Sequence, residues 1–562
     1  MFQLDIRLMC TLLAILIASA VVVTKIIVET KRDLHPIALS QQSNIGPTRK
    51  ENETAIYRNF TIPPGFPLTT GMSLSMGYKF RNGNFGDIWS SIMAIARHNY
   101  IELNDQRYSL SLVNANAKNL CQKWKTGTKP CHLGIASPID ELPGFVLAIT
   151  GFMGSLQDLV PVFLTSVPRS KPDLDILAID SWETFHKMNG SQSWYKLVLV
   201  CDSTKGEPPH EIPSNIVTWD ALALNFEPTP DREVSRFDYK PPSDNHHDSK
   251  LIAVSNSPFG TATSFTHMAL VSSVAAFIKS FPIDFGLSSN DHLSIILERR
   301  SAATDPIQIF PKLLAILLHG GSVSILNKQG TLQTLGQSLN LTTTLLQIPQ
   351  ECEMLDRLLS HPLSIVQRIK LAWASNLLSE GVFSSSARIS PELKQLRCVF
   401  LSDNVKNIGS VATICAPTGK AGLAPKKTKT TLELNRMRAI LGSRVVRELC
   451  CPYVVLGPVA STNFFDYRVF PHQVDLKLSN YGPISTSLEA KLAKDETKPQ
   501  LSVAKRQGLL CIRGFTIGRP VNPEQMTRAL KAVEKFDGRE GWMPMFGVSC
   551  LWGLDGCLYE FN

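Results

Sequence analysis

Apolar positions follow three rhythms along the chain. From Leu8 to Thr24 no charge interrupts the run, which resumes after Lys25 at Ile26, Ile27 and Val28. That length is close to what a ~30 Å hydrocarbon core requires. From about residue 76 to about 400, short β-rich runs ("GFVLAIT", "LDILAI", "WYKLVLVCD", "SVSILN") alternate with helical patterns such as "FPKLLAILLHG" and "LLSHPLSIVQRIKLAWASNLL". Near-continuous apolar strands alternating with helices predict parallel sheet covered on both faces, so the fold class is α/β. "GYKFRNGNFGDIWSSIMAIARH" opens this part, with Asp87 placed to cap a helix whose Ile88, Ile92 and Ile95 share one face. From about residue 470 the rhythm shortens to strands and turns, "QVDLKL" and "GLLCIRGFTIG", which predicts a small β-rich subdomain.

These rhythms divide the chain into an anchor (1–32), a polar, proline-bearing tether (33–75), an α/β core (76–400) and a remainder that includes the β-rich part (401–562). Residues 227–250 and 416–431 read as charged connectors. The N-terminal run competes with a cleaved signal peptide, because Ala18-Ser19-Ala20 has the small-x-small form. Its leading region holds only Arg7 against Asp5, and cleavage would expose Val21-Val22-Val23, so a single-pass anchor is the better reading. Lys25, Lys31 and Arg32 on its C-terminal side place the bulk of the chain in the cytosol.

Composition refines this little. The chain has 44% hydrophobic and 19% charged residues, and its net charge of +9 forms no dominant basic block, which gives no support to a nucleic-acid partner. Twelve cysteines lack a disulfide framework or paired C-x-x-C ligands, which suits a reducing compartment, and no metal site is expected. Asn52, Asn59, Asn189 and Asn340 each begin an N-x-S/T sequon, relevant only if the bulk is lumenal.

The stretch "LIAVSNSPFGTATSFTHMALVSSVAAF" reads as strand, polar loop and helix, the layout of a phosphate loop and equally of any Ser/Thr-rich turn. "LLHGGSV" lacks a Gly-x-Ser-x-Gly partner anywhere, so a serine hydrolase is not indicated, and His319-Gly320-Gly321 reads as a helix-to-strand turn. His98, His246 and His247 lie near carboxylates in what read as solvated loops. Cys450-Cys451 read as buried small hydrophobes; Trp89, Trp373 and "GWMPMFG" as core or pocket lining.

Taken in order, "FPKLLAILLHGGSVSIL", "LGSRVVRELCCPY", "GLLCIRGFTIGRPVNPEQMTRAL" and "DGREGWMPMFGVSCLWGLDGCLYEFN" resemble the large domain of the adenylate-forming (AMP-binding) superfamily, and most closely its long-chain acyl-CoA synthetases. The resemblance implies a triphosphate grip in the loop at 251–267. Counting back from Thr266-His267 sets Ser255, Pro258 and Ala262 where the family has glycines and Thr261 where it has lysine, with Ser257 and Gly260 between them. Proline has no N–H to donate, and non-glycine residues resist the backbone angles such a loop uses. By the same resemblance, Tyr453 stands near the family's metal-holding glutamate, Gly547 at its ribose-binding aspartate and Leu401–Asn404 near its adenine segment. Arg513-Gly514, Asn522-Pro523-Glu524, Gly541-Trp542 and Asp555-Gly556 persist as scaffold, and the family's mobile C-terminal domain is expected to be absent.

The expectation is a membrane-anchored relative of the synthetases without catalytic residues or cofactor, acting as a lipid-binding or scaffold subunit at the endoplasmic reticulum or lipid droplet. Expected partners are the membrane, fatty acid or acyl-CoA, and other lipid enzymes. The alternative is a divergent long-chain fatty acid–CoA ligase using ATP and Mg²⁺.

Overall fold

The computed structural model describes residues 6–48, 50–77, 79–95, 99–124, 130–222, 239–257, 261–297, 305–327, 335, 339, 341–360, 362–405, 409–410, 429–469, 479–495, 498–537 and 541–560. His98, Pro258, Phe259, Gly260, Asn340 and "QVDLKL" lie outside the described residues, as do most of the two connectors.

Two large sheets form the expected α/β body. One runs in the order Ile216–Thr218, Leu197–Asp202, Ile176–Ser181, Cys131–Ile135, Leu159–Phe163, Leu251–Asn256, Ala262–Thr266 and Arg519–Pro520, the first six parallel and the last two antiparallel. The other runs Pro458–Ser461, Arg444–Cys450, Cys398–Asn404, Leu345–Pro349, His292–Ile296, Ser322–Leu326, Tyr100–Leu103 and Gln106–Ser109, with its six inner strands parallel. Helices Phe85–Ile95, Leu142–Gly154, His267–Lys279 and Phe310–Leu318 share one buried core with both sheets, in which Phe145, Phe152 and Phe163 gather around Phe310. A third, antiparallel sheet contains the expected C-terminal strands, among them Gln507–Gly514 and Met543–Trp552.

Four expectations are corrected. "GFVLAIT" is helical, within Leu142–Gly154. Burial on every side gives an apolar run no period to read, and Pro143 starts the helix. Gly144 and Gly151 have no room for a side chain: a Cβ would meet Pro138 O at 1.9 Å and Pro161 Cβ at 2.4 Å. The polar loop joins two antiparallel strands rather than a strand and a helix, with Ser255 opposite Thr263 and Asn256 opposite Ala262. The helix His267–Lys279 follows, capped by the Thr266 hydroxyl. The cap of Phe85–Ile95 is Asn84, whose Oδ1 accepts from Gly86 N at 2.8 Å; Asp87 Oδ2 in turn accepts from Asn84 N at 2.8 Å.

The fourth correction concerns residues 33–75, which are built into the fold. Ser43–Ile45 pairs with Tyr57–Asn59, and Tyr57–Asn59 pairs with Leu488–Ala493 in the antiparallel sheet. Tyr57 stacks on Trp552 with ring centroids 3.9 Å apart. Strands of three residues are too short to announce themselves by alternation, and their stability comes from the sheet they edge.

The helix Ile6–Lys31 is long and apolar enough to cross a membrane, and its apolar stretch is not buried in the protein. It enters the body almost at once. Arg32 Nε donates to Glu380 O at 2.9 Å, Asp33 N donates to Gly381 O at 3.0 Å, and the Asp33 carboxylate accepts from Arg444 and from Tyr467 OH, each at 2.8 Å.

Candidate functional site

The strand Leu251–Asn256 brings Ser255 to the edge of a buried carboxylate that the sequence did not single out. Ser255 Oγ donates to Asp305 Oδ1 at 2.6 Å, and Tyr453 N donates to Asp305 Oδ2 at 3.2 Å. Tyr453 holds a left-handed backbone, φ 63°, uncommon for a non-glycine residue. Burial raises the Asp305 carboxyl to about 6 against these hydrogen bonds, which favour its charged form. The sequence signal was present as Asp-Pro before a helix, and Asp305 does accept from Ile307 N at 3.3 Å; that pattern announces a cap and nothing more.

Two of the loop positions are thereby brought together with the lost-acid position. Ser255 and Tyr453 meet through Asp305, and Thr261 lies at the open end of the hairpin, where Ser257 N donates to Thr261 O at 2.7 Å. The Thr261 and Thr263 hydroxyls are buried without a hydrogen-bond partner among the described residues. Gly547 stands apart on the strand Met543–Trp552, exposed and with φ 86°. There the register slips: Leu509 pairs with Ser549 but Cys511 with Pro544, so the strand bulges around Gly547.

The segment Leu401–Asn404 ends a central parallel strand, and its Ser402 and Asp403 side chains are already engaged. Arg447, fully buried, donates to Asp403 at 2.5 Å and to Gln350 at 2.9 Å, while Tyr481 OH donates to Asp403 at 2.7 Å. Beside it Lys312 Nζ lies 2.6 Å from Glu448 Oε2, both buried, and Ser402 Oγ donates to that carboxylate at 3.3 Å. The ammonium also sits 4.8 Å from the centre of the Phe400 ring.

This ion pair lies between two cavities that share Ser273, Phe277 and Pro458. One, about 50 Å³, is lined by Asp305, Gln308, Lys312, Gln347, Asn404 and Pro452. The other, about 140 Å³, has one side of Phe60, Phe277, Phe281, Phe400 and Phe464 and another of polar groups that include Gln42, Asn59, Lys279, Glu448 and Thr462, with Ala38 from the segment after the helix Ile6–Lys31. A wide groove of about 920 Å³ lies elsewhere, at the carboxyl ends of Cys131–Ile135, Leu159–Phe163 and Ile176–Ser181, and Asn189 borders it. Among the described residues no group of three or more His, Cys, Asp or Glu side chains is placed to hold a metal ion.

No protein-family model matches the chain. The Saccharomyces cerevisiae protein YHR045W is 44% identical over 563 residues, covering 99% of each chain. The chain belongs to the family of that yeast protein. Its fold is that of adenylate-forming enzymes. The N-terminal domain of FACL13 from Mycobacterium tuberculosis matches with a TM-score of 0.54 at 11% identity, over 85% of this chain and 100% of that one. The luciferase-like enzyme of the mealworm Zophobas morio gives 0.53 at 14%, over 88% and 100%, and the anthranilate CoA ligase AuaEII 0.52 at 11%, over 85% and 76%.

The scaffold motifs of this adenylate-forming fold have structural work. Asn522 caps the helix Pro523–Asp537, accepting from Glu524 N at 2.8 Å. Trp542, fully buried, is flanked by Lys491 and Arg513, each 4.6 Å from its ring centre, and Gly556 turns the chain at φ 75°. His319-Gly320-Gly321 makes the helix-to-strand turn, with Gly320 at φ 82°. Cys450 and Cys451 are buried, as is Trp89, whereas Trp373 is exposed.

Proposed function

We propose that the protein is a membrane-anchored, non-catalytic member of the adenylate-forming fold that binds lipid or scaffolds other lipid enzymes. The observation that carries this reading is the closure of Ser255 Oγ and Tyr453 N onto Asp305. A triphosphate grip needs N–H groups, hydroxyls and a cation facing outward. Here two donors face inward to a carboxylate, and the nearby cation, Lys312, is held by Glu448. A Mg²⁺-bound triphosphate does not fit that charge arrangement, so no step of adenylation is derived through it. Adenylation rests on positioning and charge neutralisation, and without them little acceleration remains.

The lipid side of the reading rests on the phenylalanine-lined side of the second cavity. Its volume of about 140 Å³ is below the ~300–1,000 Å³ usual for ligand pockets, and it suits one end of an acyl chain. The full chain in detergent, titrated with ATP and assayed for pyrophosphate release with Mg²⁺, oleate and CoA, tests the proposal. We expect neither submillimolar ATP affinity nor release. One observation favours the second reading, a divergent ATP-dependent fatty acid–CoA ligase: the buried hydroxyls of Thr261 and Thr263, which have no partner among the described residues, are donors suited to a polar ligand. Pyrophosphate release would establish that reading.

We place the anchor in the endoplasmic reticulum membrane, reaching lipid droplets, with the bulk in the cytosol. Twelve cysteines spaced with no disulfide framework or C-x-x-C pair support a reducing side. Asn59 uses its amide inside the fold, donating to Ile484 O at 2.8 Å and accepting from Thr61 N at 3.0 Å. Asn52 and Asn189 are exposed. A mobility shift on endoglycosidase treatment would reverse the orientation.

A further inference from the structure

The helix Ile365–Ser379 is apolar on two opposite sides. Its inner side, with Ala374, Leu377 and Leu378, is buried against the body. Its outer side carries Ile365, Ile369 and Trp373 at four-residue spacing, joined by Val366, and these are 42% to 77% exposed. A helix with a second, exposed apolar stripe of this kind fits between two apolar phases. Only one phase is present in the isolated chain.

The position of this helix says what the second phase is. Its C-cap, Glu380, accepts through its carbonyl from Arg32, and Gly381 O accepts from Asp33 N, so it ends where the anchor helix ends. At 1.5 Å per residue, Trp373 lies about 10 Å along the helix from that junction. The same junction gathers further exposed apolar groups. Ile37 follows the anchor, and Ile283, 98% exposed, is two residues from Phe285, whose ring centre lies 4.4 Å from the Arg444 guanidinium that pairs with Asp33. Lys31, Arg32, Arg368 and Lys370 stand among them, cationic and exposed or half-exposed.

We propose that the outer face of Ile365–Ser379, with Ile37 and Ile283, docks in the plane of the same membrane that the anchor crosses, in a leaflet containing anionic lipid. The proposal rests on the anchor reading and is independent of whether the protein binds ATP. Apolar groups enter the headgroup–acyl boundary, the indole of Trp373 lies at interfacial depth, and the basic residues meet lipid phosphates. The short, bonded junction at Arg32 and Asp33 fixes the body's orientation, so anchor and helix meet one surface together.

Tryptophan fluorescence reads this directly, because Trp373 is the one exposed member of eight; the other seven are buried or half-buried. The full chain and Trp373→Phe are reconstituted into phosphatidylcholine–phosphatidylserine vesicles whose acyl chains are brominated near the headgroup or near the terminal methyl. We expect quenching that is stronger for the shallow bromines, with roughly half or more of it lost in Trp373→Phe, as an interfacial indole requires. Equal quenching of both proteins, with both floating with the vesicles after a carbonate wash, overturns the docking and leaves the anchor standing. Loss of flotation overturns the anchor and the docking with it. Protection of Trp373 from quencher together with dimerisation assigns the face to a second copy and overturns the lipid proposal.

Discussion

At the hairpin of Leu251–Asn256 and Ala262–Thr266, polar groups that a ligand would use are turned on one another. Around the end of the anchor helix, apolar groups that a core would use are turned outward. In the first region Ser255, Tyr453 and Asp305 form a closed set, and Lys312 and Glu448 another, with only the Thr261 and Thr263 hydroxyls left over among the described residues. The second is complete only with something outside the chain. Hence substitutions inside the first should be read in stability, and substitutions of the outward-facing apolar groups of the second in association, with stability almost untouched.

The sharpest way to break that contrast is Glu448→Ala. It strands a buried Lys312 ammonium, and removing one partner of a buried pair costs about 3–5 kcal/mol. The double variant Lys312→Met/Glu448→Leu should recover most of the loss. Thermal unfolding of the full chain in detergent measures both. If Glu448→Ala melts like the parent, the pair is not part of a self-satisfied interior.

A pH titration comes next. Asp305 has its carboxyl raised to about 6, above the unfolded value near 3.9. The folded state therefore binds more protons than the unfolded between about pH 4 and 6, and the contribution of Asp305 to stability falls as pH rises through that window. A two-unit shift corresponds to about 3 kcal/mol. His267, fully buried, has its imidazole lowered to about 3 by burial, so its contribution has the opposite slope and is lost as pH falls below about 6.5. In Asp305→Asn the falling component should shrink to that of Asp248, whose carboxyl burial also raises to about 6, and stability should rise with pH more steeply from about 4 to 6. Urea midpoints at intervals across the range report the sign.

Much of the fold was legible in the chain, and the exceptions share a cause. "LDILAI", "WYKLVLVCD" and "SVSILN" are strands, and "FPKLLAILLHG" is a helix, because β-branched runs and long apolar periods carry their own signal. "GFVLAIT" misled because complete burial erases periodicity. Residues 33–75 misled because their strands are three residues long and exist through the sheet they edge. At the candidate site, the departures at Ser255 and Tyr453 could be read from spacing. Asp305 and the Lys312–Glu448 pair could not, since distant residues meet there only through the parallel sheet's crossovers. Trp373 was read as core for a sound reason, as it sits in an apolar run. Its exposure follows from which side of a two-sided helix faces the body.

Loosening the junction tests whether orientation links the two regions. Asp33→Ala removes the partner of Arg444 and Tyr467, half-shielded from water, and should cost about 1–3 kcal/mol. Under the proposed docking, its clearer effect should be on the helix Ile365–Ser379: flotation stays complete, because the helix Ile6–Lys31 is intact, while quenching of Trp373 by shallow bromines weakens. Unchanged quenching would mean that the helix finds the membrane without the bonded junction.

The smallest effect on stability should come from Ile369→Ser. The side chain is 65% exposed, so little apolar area is lost to water on truncation, and surface changes of this kind fall within about 0.5 kcal/mol. In detergent its melting curve should overlay the parent's. In anionic vesicles the same change removes apolar surface from the interface beside Trp373, one turn along the helix, and the bromine quenching should fall. A variant silent in detergent and visible in lipid separates an outward-facing site from an inward-facing one. A change that destabilised the detergent form as much as it weakened lipid contact would instead place Ile369 in the core, and the contrast between the two regions would be gone.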